Sequence, residues 1–327
     1  MKIACLSGKG GAGKTLTAVN LAAAAEKAVY IDCDVEEPNG RLFFRPDHVE
    51  TETVCSLLPE FDAGACTGCR ECVQFCRFHA LMYVKDKPMV FSEVCHSCGG
   101  CSLVCPKKAI TEKKKPIGIL ETGDSQTVRV VTGILNPGEA SGVPVIREAL
   151  KKAEGLTIID CPPGSACSVM ESVMDADFCI LVAEPTAFGF HNFQMVFQLV
   201  SLLGKKCGVV INKQEAPWEP LERFCRDQGL PILARIPYDP QIAAMASDGR
   251  IEGGSPAPGN VLPYPSYDRR QLMKRLLILS GKGGTGKTTT AAAFIRFAGA
   301  KAVADCDVDA PNLHLVTEIS GAPEISD

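Results

Sequence analysis

Two groups of residues in this chain have types and spacings that could carry out chemistry. The first is a glycine-rich loop, Gly8-Lys9-Gly10-Gly11-Ala12-Gly13-Lys14-Thr15, which follows a short apolar run and precedes an alanine-rich run. The second is a set of eight cysteines between residues 66 and 105. The loop has the chemistry of a phosphate cradle, and thiolates in this number are typical of metal or cluster ligands.

The glycine loop fits the spacing G-x-x-x-x-G-K-[ST] of a nucleoside-triphosphate site. Lys14 would reach the β- and γ-phosphates, and Thr15 would hold Mg²⁺. The same glycines also satisfy G-x-G-x-x-G, with Asp32 at a suitable distance for a ribose hydroxyl, but a dinucleotide site does not need Lys-Thr after the last glycine. A triphosphate is therefore favoured. The glycines expected to bring backbone N–H groups around the phosphate are Gly8, Gly10, Gly11 and Gly13.

Polar side chains follow three other apolar runs, at the points where strands are predicted to end. Asp160 ends the run at residues 157–159 and is the best candidate to hold Mg²⁺ together with Thr15. Asp32 and Asp34 follow the second strand; we expect Asp32 near the metal and Asp34 to orient the attacking water. Two acids at the end of a strand are also common turn caps.

A later strand, at residues 207–211, ends in Asn212 and Lys213. An amide at this edge of a parallel sheet is expected to recognise the nucleotide base. The candidate nucleotide-binding residues are therefore the loop glycines, Lys14, Thr15, Asn212 and Lys213.

With these motifs the chain resembles the deviant-Walker ATPases, which include MinD/ParA-like partition proteins, the nitrogenase iron protein and the Mrp-like iron–sulfur carriers. The resemblance covers residues 1 to about 50 and 128 to 250 and depends on Lys9 at the second loop position. It implies ATP rather than GTP, and a dimer in which Lys9 reaches the partner's nucleotide. Asp32-Cys33-Asp34 matches the first switch of that family, and residues 160–164 match the second. Leu16 departs from the family, which often has Thr or Ser there to contact the α-phosphate.

The cysteines form two runs with the spacing C-x2-C-x2-C-x3-C, the second 29 residues after the first. This is the spacing of bacterial two-cluster ferredoxins, in which the fourth cysteine of each run ligates the other cluster. Zinc prefers two cysteine pairs with a longer spacer. His79 and His96 lie beside the cysteines and are expected to be hydrogen-bond donors or surface residues. The predicted ligands are Cys66, Cys69, Cys72 and Cys105 for one 4Fe-4S cluster, and Cys95, Cys98, Cys101 and Cys76 for the other.

The segments that must position these residues alternate between apolar strands and helices. This alternation predicts an α/β fold with a mostly parallel P-loop NTPase sheet and helices on both faces. Residues 1–60 and 111–255 would form the ATPase domain, and residues 61–110 a small α+β ferredoxin-like insert. Residues 256–272, rich in Gly and Pro, are typical of a linker. Residues 273–327 are predicted to be a partial second copy of the ATPase N-terminus, since residues 281–288 match the first loop at an offset of 273.

Composition narrows the function classes. The net charge is −4 and no basic stripe is present, so we expect no nucleic-acid partner. No apolar run reaches about 18 residues, so we expect no membrane span. Seventeen cysteines in a chain that begins directly with a predicted strand indicate metal or cluster binding in the cytoplasm rather than disulfides. Cys33, Cys161 and Cys167 could hold a third, labile cluster, but small buried thiols are favoured.

The favoured function is an ATPase, with Mg²⁺ and two 4Fe-4S clusters, that couples nucleotide state to iron–sulfur cluster handling or metalloenzyme maturation. One alternative is ATP-gated electron transfer, as in the nitrogenase iron protein. A second is a positioning ATPase that acts as a scaffold. The expected partners are a second copy or a paralogous ATPase subunit, and a protein that accepts electrons or clusters.

Overall fold

The computed structural model of the chain describes residues 1–25, 27–85 and 87–251. The predicted linker and the predicted second copy lie outside the described residues. The strands, in chain order, are β1 (Lys2–Leu6), β2 (Ala28–Asp32), β3 (Asp47–Phe61), β4 (Leu81–Val84), β5 (Lys87–Val90), β6 (Ile110–Ser125), β7 (Val128–Leu135), β8 (Thr157–Asp160), β9 (Phe178–Ala183), β10 (Cys207–Gln214) and β11 (Ile232–Pro237). The helices are α1 (Lys14–Ala23), α2 (Arg41–Phe44), α3 (Glu71–Phe75), α4 (Gly100–Leu103), α5 (Val143–Leu150), α6 (Cys167–Val173), α7 (Ala187–Leu202), α8 (Glu219–Asp227) and α9 (Pro240–Ser247).

Nine of the described strands form one sheet, in the order β11-β10-β9-β1-β8-β2-β7-β6-β3. Neighbours from β11 to β7 are parallel, whereas β7 with β6 and β6 with β3 are antiparallel. The central strands β2 and β8 are buried along their whole length, which is why they consist of near-continuous apolar residues ending in an aspartate. The predicted α/β fold with a mostly parallel sheet is confirmed.

Helices cover both faces of this sheet, because successive strand residues point to opposite sides. Ile31 and Ile159 pack on one face with α5, α6, α7 and α8. Tyr30 and Ile158 pack on the other face with α1 and α2. Under α7, the ring of Phe193 lies 5.9 Å from the ring of Phe224 on α8 in an edge-on arrangement. The first face therefore has an aromatic core.

The long strands β3 and β6 form an antiparallel ribbon that the sequence did not predict. β6 pairs with β7 only from Gly118 onward. The preceding stretch of β6, from Ile110 to Ile117, lies beside β3 alone. Most of the residues in this stretch are polar or exposed, as expected of strands with few neighbours to bury them. The ribbon ends where Phe61 pairs with Ile110. Residues 62–109, which we call the cysteine module, connect these two ends.

The cysteine module consists of two halves with the same backbone path. Its short helices α3 and α4 begin 29 residues apart. The start of each half is hydrogen-bonded to the end of the other. Asp62, at the start of the first half, donates its N–H to the Ala109 carbonyl, and Phe91, at the start of the second half, donates its N–H to the Ala80 carbonyl. Left-handed backbone recurs at this spacing in the pairs Gly68 and Ser97, Arg70 and Gly99, and His79 and Lys108. Each half is thus hydrogen-bonded to the other at both of its ends.

Among the described residues, none of the helices combines the length and apolar character needed to cross a bilayer.

The aromatic core under α7 leads to the first prediction. Phe193 is 2% exposed, so Phe193→Ala should lower the free energy of unfolding by about 3–5 kcal/mol through lost burial and a cavity. Leu202, on the same helix and 85% exposed, provides the control, and Leu202→Ala should change stability by less than about 0.5 kcal/mol. Urea unfolding followed by circular dichroism measures both, and equal losses would contradict this packing.

Candidate nucleotide site and cysteine cavities

The carboxyl ends of β1, β2, β8, β9 and β10 lie at one edge of the sheet because these strands are parallel. β1 lies between β8 and β9, so the loop that follows it is placed above Asp160 on one side and Glu184 on the other. The first helix begins at Lys14, directly after the loop. The sheet order therefore brings the predicted phosphate loop and most of the predicted polar residues to one place.

The loop adopts a conformation that requires its glycines. Gly11 has φ of 78° and Gly13 has φ of 95°, both in the left-handed region that side chains disfavour. At Gly8 the reason is space, because a Cβ there would lie 2.1 Å from the backbone carbonyl oxygen of Asn192 on α7. The loop is thus pressed against α7 at its start and opens toward solvent at its centre.

A buried ion pair occupies the centre of the site. The Lys14 Nζ lies 2.5 Å from Oδ1 of Asp160, and the hydroxyl of Tyr30 donates to Oδ2 of the same carboxylate at 2.8 Å. Burial alone would lower the pKa of Lys14, but the carboxylate of Asp160 outweighs it and raises that pKa above its ordinary value. Thr15 lies beside them, with Oγ1 3.4 Å from the Lys14 Nζ. Lys14, Thr15 and Asp160 are therefore brought together as the sequence predicted.

Asp32 and Asp34 lie next to this pair in different environments. Oδ2 of Asp32 accepts from the N–H of Gly40 at 2.8 Å and Oδ1 from the N–H of Asp34 at 3.1 Å, so this carboxylate closes the turn after β2. Burial, followed by the charge of Asp160, raises the pKa of Asp32 to about 7. Asp34 is only half-buried, and burial raises its pKa to about 6. Turn capping, the alternative open from the sequence, describes Asp32 better than Asp34.

Lys9 forms an ion pair with a carboxylate of its own chain. Its Nζ lies 2.6 Å from Oε2 of Glu184, the residue after β9, and 5.3 Å from the ring centre of Phe188. The reach of Lys9 to a partner's nucleotide, which the resemblance implies, stays a prediction. The sequence reasoning missed Glu184, although it follows an apolar strand at the same edge as the other candidates.

Asn212 and Lys213, at the end of β10, contact the loop itself. The side-chain amide of Asn212 donates to the carbonyl of Ala12 at 2.8 Å, and the Nζ of Lys213 donates to the carbonyl of Gly11 at 2.8 Å. The sequence predicted base recognition at this position. That role stays a prediction, and in the structure both side chains contact neighbouring peptide groups of the phosphate loop.

The cysteine module contains two cavities whose linings separate the cysteines into the two predicted sets. We call them the first and second cysteine cavities. In the first, burial raises the pKa of Cys72, with the thiol of Cys105 among its neighbours. In the second, burial raises the pKa of Cys95, with the thiol of Cys76 among its neighbours. The thiols lining the first cavity are Cys66, Cys69, Cys72 and Cys105, and those lining the second are Cys76, Cys95, Cys98 and Cys101.

Within the described part of the chain, no three His, Cys, Asp or Glu side chains are grouped so that they could hold a metal ion. The histidines agree with this, since His79 is exposed and His96 stacks on Phe78 with ring centres 3.9 Å apart. Cys33 and Cys161 are fully buried in the core, whereas Cys167 is exposed. These three thiols therefore differ in environment, and the two in the core are small buried thiols.

Comparison with known proteins assigns the chain to a family. The CbiA family, described as the CobQ/CobB/MinD/ParA nucleotide binding domain, matches residues 3–251 and again residues 276–325. The chain belongs to this family. It is thus a nucleotide-binding P-loop ATPase of the MinD/ParA type, as predicted. The match spans the cysteine module without indicating what the cysteines bind.

Two relatives from Methanocaldococcus jannaschii, both named as uncharacterized proteins, align with most of the chain. One is 28% identical over 250 residues, 74% of this chain and 87% of the relative. The other is 31% identical over 222 residues, 65% of this chain and 78% of the relative.

Solved structures of similar topology include the septum site-determining protein MinD of Pyrococcus horikoshii, complexed with Mg-ADP. It has a TM-score of 0.47 and 19% identity over 76% of this chain and 86% of that one. A nucleotide-binding protein of Archaeoglobus fulgidus in complex with ADP has a TM-score of 0.41 and 16% identity, covering 78% and 89%.

The buried ion pair of this MinD/ParA-type chain leads to the second prediction. Without nucleotide, Lys14→Met should lower the free energy of unfolding by about 3–5 kcal/mol, because it leaves the Asp160 carboxylate buried without its cation. Adding Asp160→Asn should restore most of that loss. Urea unfolding of the single and double variants measures the coupling.

Lys151, the residue directly after α5, has a side chain that is 62% exposed and provides the matched control for removing a lysine charge. If Lys14→Met cost no more than Lys151→Met, the ion pair would not stabilise the protein.

Proposed function

We propose that this chain is an ATP-hydrolysing iron–sulfur protein that couples nucleotide state to iron–sulfur cluster handling or to the maturation of a metalloenzyme. The observation that carries this proposal is the separation of eight cysteines into two cavities, each lined by three cysteines of one motif and one of the other. The ATPase part follows from the family. The cluster part follows from the chemistry of the thiols.

In the proposed ATPase cycle, Lys14 leaves Asp160 to bind the β- and γ-phosphates. Thr15 and the released Asp160 would hold Mg²⁺, with Asp32 as the further carboxylate proposed for this site, and the ion would offset the charge of the phosphates. Asp34, half-buried beside them, orients the attacking water.

We extend the proposal to a dimer, of two copies or with a paralogous subunit, in which Lys9 binds the partner's nucleotide. Lys9 and Glu184 are 25% and 19% exposed, so this pair is within reach of solvent and of an approaching chain. In such a dimer, Lys9 would have to break its ion pair with Glu184 in order to contact the partner's phosphates. The residues proposed for catalysis are thus Lys14, Asp34 and Lys9.

The cysteine cavities fit 4Fe-4S clusters better than single ions. Four thiolates around one zinc would each lie about 2.3 Å from it and close to one another. The support for a cluster is the set of four thiols that lines each cavity, which matches the ligand number of a 4Fe-4S cluster. When bound, such clusters supply one-electron redox chemistry. The thiols of the first and second cysteine cavities would hold one cluster each.

The proposed division of the chain places the clusters in an insert, residues 61–110, within an ATPase domain of residues 1–60 and 111–255. The β3–β6 pairing that ends at Phe61 and Ile110 supports these limits. Residues 256–272 as a linker and 273–327 as a partial second copy complete the proposal from the sequence repeat.

Contacts along the ribbon support coupling between the two parts. Lys115 on β6 lies 3.5 Å from the carbonyl of Ser92 in the cysteine module and 2.8 Å from the carboxylate of Glu139, just before α5. On α5, Arg147 makes two hydrogen bonds to Glu171 on α6, the helix that follows the second switch. A displacement of the module would therefore reach the segment that contains Asp160.

ATP-gated electron transfer is the second candidate, and a specific observation favours it. Each cavity has four thiols, enough to ligate every corner of a cubane and to retain the cluster through redox cycles. A carrier that transfers clusters needs at least one weakly held cluster. The partner would accept electrons in the first case and clusters in the second.

The crossed ligand sets lead to the third prediction. After anaerobic purification the wild type should contain about eight irons and as many sulfides per chain. Cys66→Ser with Cys105→Ser removes two ligands of the same cluster and should leave about four irons. Cys66→Ser with Cys76→Ser removes one ligand from each cluster and should leave few or none. Iron and sulfide assays with EPR of the reduced protein measure the result.

Cys55→Ser is the control, because Cys55 is exposed on β3 and lies outside both cavities. The reverse result, with more iron in the 66/76 variant than in the 66/105 variant, would assign each cluster to one motif. A wild type with one or two zinc ions and no iron would remove the cluster proposal altogether.

The fourth prediction concerns coupling. The Mg²⁺-dependent ATPase rate of the cluster-loaded protein should differ at least about fivefold between its oxidised and reduced forms, the usual size of coupling between sites. Lys14→Ala should lower both rates about a hundredfold or more, since it removes a cation from the transferring phosphate. Identical rates in the two redox states, together with clusters that never leave the protein, would show that the modules act independently.

A further inference from the structure

The internal repeat of the cysteine module allows its two cavities to be compared position by position. The offset of 29 residues carries the cysteines of each cavity onto those of the other. It also relates other lining residues, Ala109 to Ala80 and Ile110 to Leu81. The two linings are therefore equivalent in position, and the residues that differ between them can be compared directly.

Three equivalent lining positions differ in charge. The first cysteine cavity has Arg70, Tyr83 and Lys107 where the second has Gly99, Glu112 and Phe78. The second lining also includes Arg77. Among the described lining residues, the first cavity thus has two cations and no carboxylate, whereas the second has one cation and one carboxylate.

Neighbouring groups hold two of these charges beside the cysteine motifs. The guanidinium carbon of Arg70 lies 4.8 Å from the ring centre of Tyr83. Tyr83 in turn reaches the first motif, because a Cβ at Gly68 would lie 2.4 Å from its hydroxyl oxygen. In the second motif, a Cβ at Gly99 would lie 3.3 Å from Oε1 of Glu112. The cation and the carboxylate therefore lie beside the motifs of different cavities.

The lysines next to Glu112 on β6 form ion pairs with other carboxylates. Lys113 lies 3.4 Å from Glu60, and Lys115 lies 2.8 Å from Glu139. The charge of Lys115 also acts on the thiol of Cys95, but burial has the larger effect on the pKa of that thiol and raises it. The carboxylate of Glu112 thus retains its charge beside the second cavity.

Hydrogen bonding and burial act in both cavities. The sulfur of Cys105 accepts from the N–H of Ala109 at 3.3 Å in the first cavity, and the N–H of Ser97 is a donor to Cys95 in the second. Burial raises the pKa of Cys72 in the first cavity and raises that of Cys101 in the second to about 11. The charge of the lining is therefore the feature that distinguishes the two cavities.

The ribbon places the cavities at different distances from the sheet. Leu57 and Pro59 on β3 line the second cavity, whereas the terminal pair of the ribbon, Phe61 and Ile110, lines the first. β6 pairs with β7 only from Gly118 onward, so the terminal pair is the part of the ribbon farthest from β7. The first cavity thus lies farther along the ribbon than the second.

We infer that the first cysteine cavity is the higher-potential site of the module, so that a single electron entering the module resides there. This inference rests on the proposed function. A reduced cluster carries one more negative charge than an oxidised one, so the cations of the first lining favour reduction and the carboxylate of Glu112 opposes it in the second. The step is the transfer of one electron from a reduced one-electron carrier, which is oxidised, to the group in the first cavity, which is reduced. No bond forms or breaks.

A redox titration of the full-length, anaerobically purified chain, followed by EPR, tests this assignment. The wild type should show two one-electron steps that differ by at least about tenfold in electron affinity, or ~59 mV. The variant with Cys66→Ser and Cys105→Ser keeps only the thiols of the second cavity. It should show only the step at the lower potential.

Single charge changes should each move one step. Lys107→Met should lower the upper step, and Glu112→Gln should raise the lower one, each by about three- to tenfold in electron affinity for one charge partly screened by solvent. Lys85→Met is the matched control, because Lys85 is exposed in the turn after β4 and lies outside both linings. It should move neither step by more than about twofold. Lys107 and Glu112 line different cavities, so either variant tests the inference if the other does not assemble.

Two coincident steps in the wild type, or an upper step retained by the variant that lacks Cys66 and Cys105, would overturn the inference and leave the clusters of the proposed function intact. Equal shifts in Lys107→Met and Lys85→Met would also overturn it, since the lining would then have no special effect. A wild type without iron would overturn the proposed function and the inference with it.

Discussion

The buried ion pair between Lys14 and Asp160 is the interaction on which the rest of the site depends. Two opposite charges lie at the end of the central strand β8, almost without solvent, and Tyr30 is a second donor to the same carboxylate. Neither charge could stay buried alone, so each requires either the other or a ligand. In the proposed function, a triphosphate with Mg²⁺ would supply both replacements at once, anionic oxygens for Lys14 and a cation for Asp160. Tyr30 would keep its bond to Asp160 throughout this exchange, and it also touches Gly40, where a Cβ would lie 2.2 Å from its hydroxyl. Tyr30 therefore contacts both Asp160 at the end of β8 and the segment after β2 that contains Gly40.

The ribbon explains how a cysteine module can be part of such a protein without disturbing the sheet. β6 pairs with β3 along its whole length and with β7 only from Gly118 onward, so the parallel strands end at β7 and the antiparallel ribbon extends from that side of the sheet. Because β3 and β6 are paired along their length, the module is held at the end of two hydrogen-bonded strands rather than on single-chain tethers. Lys115 on this ribbon contacts both Ser92 of the module and Glu139 just before α5, and these contacts form the route of the coupling that we propose.

The parts of this fold that could be predicted from sequence are those whose signals are local. The strand–loop–helix unit of the phosphate site and the buried strands ending in Asp32 and Asp160 are predictable because parallel core strands must be apolar on both faces. The cysteine sets could be proposed because ligand spacing is itself a local constraint. The β3–β6 ribbon was missed because its residues are mostly polar and gain their strand character from pairing. The roles of Tyr30 and Glu184 could not be predicted because a residue's partner across the sheet is a tertiary fact. Tyr30 is indistinguishable, in an apolar run, from an ordinary core side chain.

The two lysines of the loop differ in how easily each can leave its carboxylate. Lys9 and Glu184 are 25% and 19% exposed, so they retain partial solvent access and are less completely desolvated than Lys14 and Asp160. Lys14 and Asp160 are buried, and separating them without replacement leaves two uncompensated buried charges. Nucleotide must therefore enter before Lys14 moves, since only the ligand can take over both charges. In the proposed dimer, Lys9 would leave its partly exposed carboxylate more readily than Lys14 leaves Asp160, and it could therefore respond to a partner that arrives later. This difference gives the proposed cycle an order, with nucleotide binding in one chain first and contact between chains second, and burial alone sets that order.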